Sequence, residues 1–381
     1  MLDDAIACRL RSAFPVGAHV SGGIDSTTVG VLGAQHSQPF YGFTWSPSVE
    51  YLPLFAGNDD RVRTIAIAKQ ANLKLHFTNP SVEDAFAHIL RDVTVLPTTT
   101  LQKELTSAKN AVANNVRIIL SGWGGDEIPA FNGRGYFADL LAMGRWYTLV
   151  RELSIRQNRF HGSFLGAVFD TITPLLSDKQ IDTEWFNLKR HLPQFEPLPT
   201  DVLQPDFAAA LQSVESLRTE HGRERRGTRN MQIKLFQMGH LTHRMESWAS
   251  FGARHNIEYS YPLLDKRIVE FCLSVPDYLF FKDGWKRFMF RKLADDVLPE
   301  DTVWKLRKDD PAMSRVGKPI GRQANTLLLD QLLLCREQIV QTGLVCPDTL
   351  YNELLTADDK QKKGNSRSAL WLAFAHPESR F

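Results

Sequence analysis

The chain has few cysteines: Cys8, Cys272, Cys335 and Cys346 stand far apart without a C-x-x-C pair, which argues against a zinc site and a disulfide framework. No apolar run reaches the roughly 18 residues needed to span a bilayer. The longest, near Leu327 to Leu334, is interrupted by Asp330 and Gln331. Met1 to Arg11 carries two early aspartates and no basic segment followed by an apolar one, so it is not a signal peptide, and the cytoplasm is the expected compartment. An excess of one charge is lacking too. The 45 basic and 43 acidic residues leave a net charge of +2, too balanced to predict attraction to nucleic acid or to a membrane. There is no internal repeat and no strongly biased tract. A chain of 381 residues, 43% hydrophobic and 23% charged, is expected to fold around a large core as two domains.

What is present is organised around two stretches. Val16 to Ser26 reads VGAHVSGGIDS: an extended stretch, two adjacent glycines, then an Asp-Ser pair opening a predicted helix over Asp25 to Gln35. Glycines let backbone N–H groups converge on an anion, and the helix adds its positive N-terminal end. Such a turn suits a phosphate. It lacks the lysine of G-x-x-x-x-G-K-[ST] and places a carboxylate, Asp25, inside the grip. A carboxylate beside phosphates is repelled unless a cation lies between them, so the loop implies Mg²⁺ and polyphosphate together. Ile118 to Glu127, IILSGWGGDE, is a second apolar strand running into a Ser-Gly turn that ends in carboxylates. Asp25 and Asp126 are then expected to meet outside the carboxyl ends of parallel strands, where open α/β sheets bind ligands.

Helical spacing of Leu2, Ile6, Leu10 and Phe14 predicts a helix that Pro15 stops. Phe40 to Thr44 is a predicted strand. Asn58-Asp59-Asp60 caps a predicted helix with Val62, Ile65, Ala66 and Ala68 as its apolar positions. Leu73 to Thr78 is the third strand, and helices over Val82 to Leu96 and Leu105 to Asn114 lead into Ile118 to Leu120. Strands alternating with helices predict an α/β fold with a doubly wound parallel sheet, assigned to a nucleotide-binding domain over residues 1–130. Residues 131–381 read as a mostly helical substrate-binding and lid region. Leu140, Leu141, Met143, Leu149 and Leu153 suggest one helix there, and Ile233, Leu235, Phe236, Leu241 and Met245 another. Between them Leu175 to Pro205, polar and proline-containing, reads as a variable connection or substrate-facing insertion.

The order S-G-G-x-D-S resembles the pyrophosphate loop of ATP pyrophosphatases, and IILSGWGGDE resembles the S-G-x-G-x-D-E segment of the asparagine synthetase family. Two weaker likenesses follow. IEYSYPLLDKRIVEF, Ile257 to Phe271, resembles the family's E-x-R-x-P-F-L-D segment with Ser260 where arginine is usual, and VWKLRKDD, Val303 to Asp310, resembles its basic stretch. The resemblance implies an adenine nucleotide α-hydrolase-like, Rossmann-type sheet, with ATP and Mg²⁺. It places the nucleotide against Val20, Ser21, Gly22, Gly23, Asp25, Ser26, Thr44, Ser121, Gly122 and Trp123, and the metal on Asp25 and Asp126. Phe43 and Trp45 join Thr44 as pocket candidates, a core strand with an aromatic edge being the alternative. The catalytic lysine falls on Lys308, with Lys305 and Arg307 as alternatives.

Asparagine synthetases usually carry glutamate at the position of Trp123, and ring-closing relatives such as β-lactam synthetase carry tyrosine. Indole has one N–H donor and cannot accept a proton, so Trp123 reads as shaping a pocket for a bulkier substrate, and another base is needed. Glu246 is the candidate, with Glu127 and Glu258 as fallbacks. No glutaminase domain is read ahead of the loop. The expectation is therefore an AMP-forming amide ligase that closes a macrolactam on a peptide, as lasso-peptide synthetases do. Its substrate would be a peptide or amino-acid carboxylate, and its partners a leader peptidase, a leader-binding protein or a glutaminase in trans. The rival readings are asparagine synthesis from ammonia and an inactive nucleotide-binding scaffold.

Overall fold

The computed structural model describes residues 1–91, 101–160, 166, 202–210, 227–237, 239–306 and 309–356. In chain order the elements are α1 (Leu2–Ala7), β1 (Val16–His19), α2 (Ile24–His36), β2 (Phe40–Thr44), α3 (Asp60–Gln70), β3 (Leu73–Phe77), α4 (Val82–Arg91), α5 (Leu101–Ala113) and β4 (Ile118–Leu120). There follow α6 (Tyr136–Ala142), α7 (Trp146–Phe160), α8 (Thr228–Gln237), α9 (His240–His255), β5 (Glu258–Ser260), α10 (Lys266–Ser274), β6 (Phe281–Lys282), β7 (Trp285–Lys286) and α11 (Phe288–Asp295). The series closes with α12 (Glu300–Val303), α13 (Met313–Leu334), α14 (Arg336–Gln341) and α15 (Pro347–Thr356). Two compact units are formed: Met1–Asn79 with Thr106–Asp182 and Arg223–Met313, and Pro80–Leu105 with Thr183–Gly222 and Ser314–Phe381.

The first unit holds a five-stranded sheet in the order β3-β2-β1-β4-β5, parallel throughout. This is the expected α/β fold. Strands buried on both faces read as continuous apolar runs, and every residue of β1 and β2 is buried. From β1 the chain winds outward to β2 and β3, then returns to lay β4 on the other side of β1. That reversal is the topological switch point, at which open sheets leave a crevice. The core joins Ile6, Val16, Ala18, Val29, Phe40 and Leu120 to Leu263, Ile268 and Phe290. In the second unit, Leu328, Leu332, Cys335, Ile339 and Leu350 pack with Val202 and Leu203.

Several sequence expectations are corrected. β5, taken as part of a proline-bent turn, is a three-residue strand paired with β4. The first helix ends at Ala7, a 3-10 turn covers Cys8–Leu10, and Phe14 is 51% exposed. Pro15 disfavours helix at the residue before it, and the Phe14 N–H is instead taken by Ser12 Oγ at 3.0 Å. The helix predicted across 140–153 is two, broken where Gly144 has φ +67°, and that across 233–245 is two, broken where Gly239 has φ +72°. The apolar face of α3 is also different. Val62 is 50% exposed, whereas Arg61, Thr64, Ile67 and Ala68 are buried. Arg61 is fully enclosed because it pairs with Asp59 and donates to the carbonyls of Pro47, Ser48, Leu52 and Pro53. The helix predicted to Leu96 is described to Arg91, and the insertion over 175–205 lies outside the described residues apart from 202–205. Among the described residues no helix is long and apolar enough to cross a membrane.

Candidate active site

The turn after β1 is built from small hydroxyls and glycines. Val20 is fully buried, and its N–H continues the ladder to Phe43 O at 2.9 Å. The Ser21 and Ser26 hydroxyls lie 2.8 Å apart, and the Ser21 N–H donates to Ser26 Oγ at 3.3 Å, which pinches the turn closed. Gly22 has φ +72°, and a Cβ there would lie 2.8 Å from Thr64 Oγ1. Gly23 caps α2 without a side-chain hydrogen bond. The first N–H groups of the helix thus meet no side-chain acceptor from the cap, the arrangement that suits an anion.

The turn after β4 rests directly on this one. Ser121 is buried, its N–H donates to Ser260 O at 2.8 Å, and its hydroxyl accepts from the Trp123 N–H at 3.3 Å. A Cβ on Gly122 would come within 2.6 Å of the Ser26 N and Cα, and one on Gly125 within 2.9 Å of Asp25 Cγ. Two backbones touch because neither glycine has a side chain. One guanidinium then spans both carboxylates: Arg287 donates to Asp25 Oδ2 at 3.0 Å and pairs with Asp126 through its other nitrogen.

Asp25 is the electrostatic focus. Its Oδ1 is buried without a hydrogen-bond partner. Burial pushes its pKa up to about 7; Arg287 opposes the rise, while Asp126 and Glu127 add to it. Loss of solvation therefore outweighs the cation beside it. A buried oxygen with an unused lone pair, facing a second carboxylate, has the chemistry of a ligand for a hard divalent ion. Among the described residues no group of three or more His, Cys, Asp or Glu is placed to hold a metal. An ion on Asp25 and Asp126 would need oxygens from a bound ligand, as Mg²⁺ does with phosphates.

Lys305 also reaches the first turn. Its ammonium donates to Asp309 at 2.8 Å and to Gly22 O at 3.4 Å. Arg307 and Lys308 lie outside the described residues. At the end of β2, Thr44 is buried, with its hydroxyl accepting from the Ser46 N–H at 3.3 Å. Phe43 is buried against the His76 ring at 5.6 Å, so it belongs to the core packing.

An aromatic cluster borders the same ends of the strands. His19 of β1 and Tyr259 of β5 meet Trp248 of α9 at ring separations of 5.4 and 4.8 Å, and Trp45, just past β2, lies 5.6 Å from His19. The Arg244 guanidinium lies 4.1 Å from the Trp123 ring centre and 4.3 Å from that of Trp248. Arg244 and Trp248 are one turn apart on α9 and share a face. Glu246, two residues from each, falls off that stripe and is exposed. Glu258 is exposed at the amino end of β5, opposite Ile118, whereas Glu127 is buried and acts on the charge of Asp25. The structure thus brings together Ser21 to Ser26, Ser121 to Glu127 and Lys305, and leaves Glu246 and Glu258 apart from them.

Neither Arg287 nor Arg244 is named by the sequence reading. Arg287 is delivered by the β6–β7 hairpin, whose Asp283-Gly284 turn has φ of +50° and +77°. An Asp-Gly pair between aromatic residues is a strong hairpin signal, so FKDGWKR could have revealed the device that carries it. Comparison with known proteins adds two findings. The asparagine synthase family model matches residues 1–376. No curated protein matches the chain.

Proposed function

The chain belongs to the asparagine synthase family, whose members are ATP-dependent ligases that form carbon–nitrogen bonds, and from that premise we propose that it adenylates a substrate carboxylate and couples it to an amine of the same peptide. The observation that carries this reading is the backbone contact of the two glycine turns, which puts Asp25 and Asp126 on one guanidinium.

In this reading a carboxylate oxygen attacks the α-phosphorus of ATP, the bond from that phosphorus to the bridging oxygen breaks, and pyrophosphate leaves. Asp25 and Asp126 hold Mg²⁺, which when bound neutralises charge on the departing group. Ser21, Gly22, Gly23 and Ser26 receive the pyrophosphate with their N–H and O–H donors. Lys305, beside Gly22 O, and Arg287 add positive charge there. Thr44, Ser121 and Gly122 border the nucleotide. The amine then attacks the acyl carbon, Lys308 stabilises the oxyanion, and AMP leaves. Glu127 takes the proton that the attacking ammonium must lose, since of the three candidate carboxylates it alone lies in the electrostatic field of Asp25.

Macrolactam closure is the preferred product because Trp123 cannot serve as a base for ammonia. ATP–pyrophosphate exchange tests the adenylating step: exchange that depends on a carboxylate substrate is expected, and its absence with every carboxylate offered points to the inactive scaffold. Mass spectrometry of a peptide substrate should show the loss of one water with ATP and Mg²⁺. Formation of asparagine from aspartate, ammonia and ATP would sink the macrolactam reading.

A further inference from the structure

Arg244 is stacked on two indoles, its Cζ 4.1 Å from the ring centre of Trp123 and 4.3 Å from that of Trp248, with Trp45 at 6.0 Å. The floor beneath is built of buried rings, Trp248, Tyr259 and His19. Arg244, Trp45 and Trp123 are partly exposed. Trp123 belongs to the turn that carries Asp126, so the stacked cation stands beside the candidate reaction centre.

A guanidinium is attracted to indole faces by the ring quadrupole, more strongly where water is excluded. Once its faces are stacked, it recognises partners through the donors in its plane, and a carboxylate matches that fork with two parallel hydrogen bonds. Five N–H donors leave capacity for such a ligand alongside a protein partner. A carboxylate held by both oxygens in this way is a poor attacking group, because its lone pairs are engaged. The group received by Arg244 is therefore a different one from the group that is adenylated.

We propose that Arg244, stacked on Trp123 and Trp248, is the receptor for a second, unactivated carboxylate of the substrate, and so selects substrates that carry two. The proposal rests on the ligase reading and sharpens its substrate class. Two sources share this chemistry: a small dicarboxylate, or a peptide whose terminal carboxylate accompanies the reacting side chain.

The test uses the full chain with Mg²⁺ and α,β-methylene-ATP, which cannot be cleaved at the reacting bond, and follows titrations by calorimetry and tryptophan fluorescence. Glutarate is expected to bind about tenfold more tightly than butyrate, and Arg244→Gln to erase that difference while leaving binding of the nucleotide within about twofold. Arg244→Lys, which keeps the charge without the planar fork, should recover only part of it. Trp123→Leu should weaken glutarate about threefold, and it keeps the proposal testable if Arg244→Gln does not fold. A peptide with a free terminal carboxylate, compared with its amide, decides the source: a tighter acid form names the chain terminus, and equal forms beside glutarate binding name the small dicarboxylate. No glutarate binding in the wild type, equal binding of butyrate, or an unchanged preference in Arg244→Gln overturns the proposal. Failure of the nucleotide to bind would instead strike the ligase reading.

Discussion

The two glycine turns look alike in sequence and use their glycines differently. In the turn after β1, Gly22 takes a left-handed backbone, φ +72°, against the side chain of Thr64, and two serine hydroxyls close the loop on itself. In the turn after β4, Gly122 and Gly125 matter for the space they leave, since the first turn occupies the place of any side chain. Support differs as well. α2 carries the first turn, while the second leans on Leu263 and Leu264, which close on Gly125 and Gly124. A repeated motif can therefore place one carboxylate by local conformation and the other by tertiary fit.

The largest expected effect falls equally on both sides of this comparison. Asp25→Ala and Asp126→Ala should each lower ATP–pyrophosphate exchange by about a thousandfold or more, since neither carboxylate alone holds the ion. Full exchange in Asp126→Ala would show that the second turn contributes no charge to the reaction. Next in size is Gly122→Ala, expected to lose about a hundredfold in exchange because it strikes backbone that no rotamer can clear. Gly22→Ala should lose about tenfold, the cost of a left-handed alanine. Equal losses at the two positions would erase the distinction between conformation and space.

Asp265 sharpens the contrast through stability. It caps α10 directly after Leu264, and hydrogen bonds from the Arg267 side chain, then those from Arg9 and the Arg267 N–H, hold its carboxyl well below the usual carboxylate range against the opposing effect of burial. A depressed folded pKa stabilises above the unfolded value and is lost as pH falls towards the folded one. Asp265→Asn should cost about 1–3 kcal/mol at pH 7, and the gap from wild type should close as the pH drops below about 4, measured by urea melts across that range. A gap that stays constant with pH would assign the effect to shape alone. The smallest effect is Val62→Ser, under about 0.5 kcal/mol, because Val62 is 50% exposed while Thr64, two residues on, is buried under the first turn.

Much of this was legible in the sequence because the signals are local. β1, β2, β3 and β4 are apolar runs that end in glycine, serine or asparagine near the turn, and both acidic turns could be read within ten residues. β5 was not legible: Glu258, Tyr259 and Ser260 make a strand only because β4 offers an edge to pair with. The buried face of α3 was misread because Arg61 looks like a surface residue until Asp59 and four carbonyls enclose it. Gly144 and Gly239 sit inside periodic apolar runs that tolerate a glycine in principle, so the breaks there needed coordinates. Arg287 is farthest from local inference, since it meets Asp25 across 262 residues of chain.

The enclosed Arg61 makes the segment from Pro47 to Pro53 a loop of counted length. Its guanidinium reads main-chain oxygens and ignores the side chains that carry them, so substitutions there are tolerated wherever the backbone path is kept. Inserting or deleting one residue would shift the acceptors out of reach and strand a charge in the interior. Divergence among relatives in this segment should run through identity and spare its length.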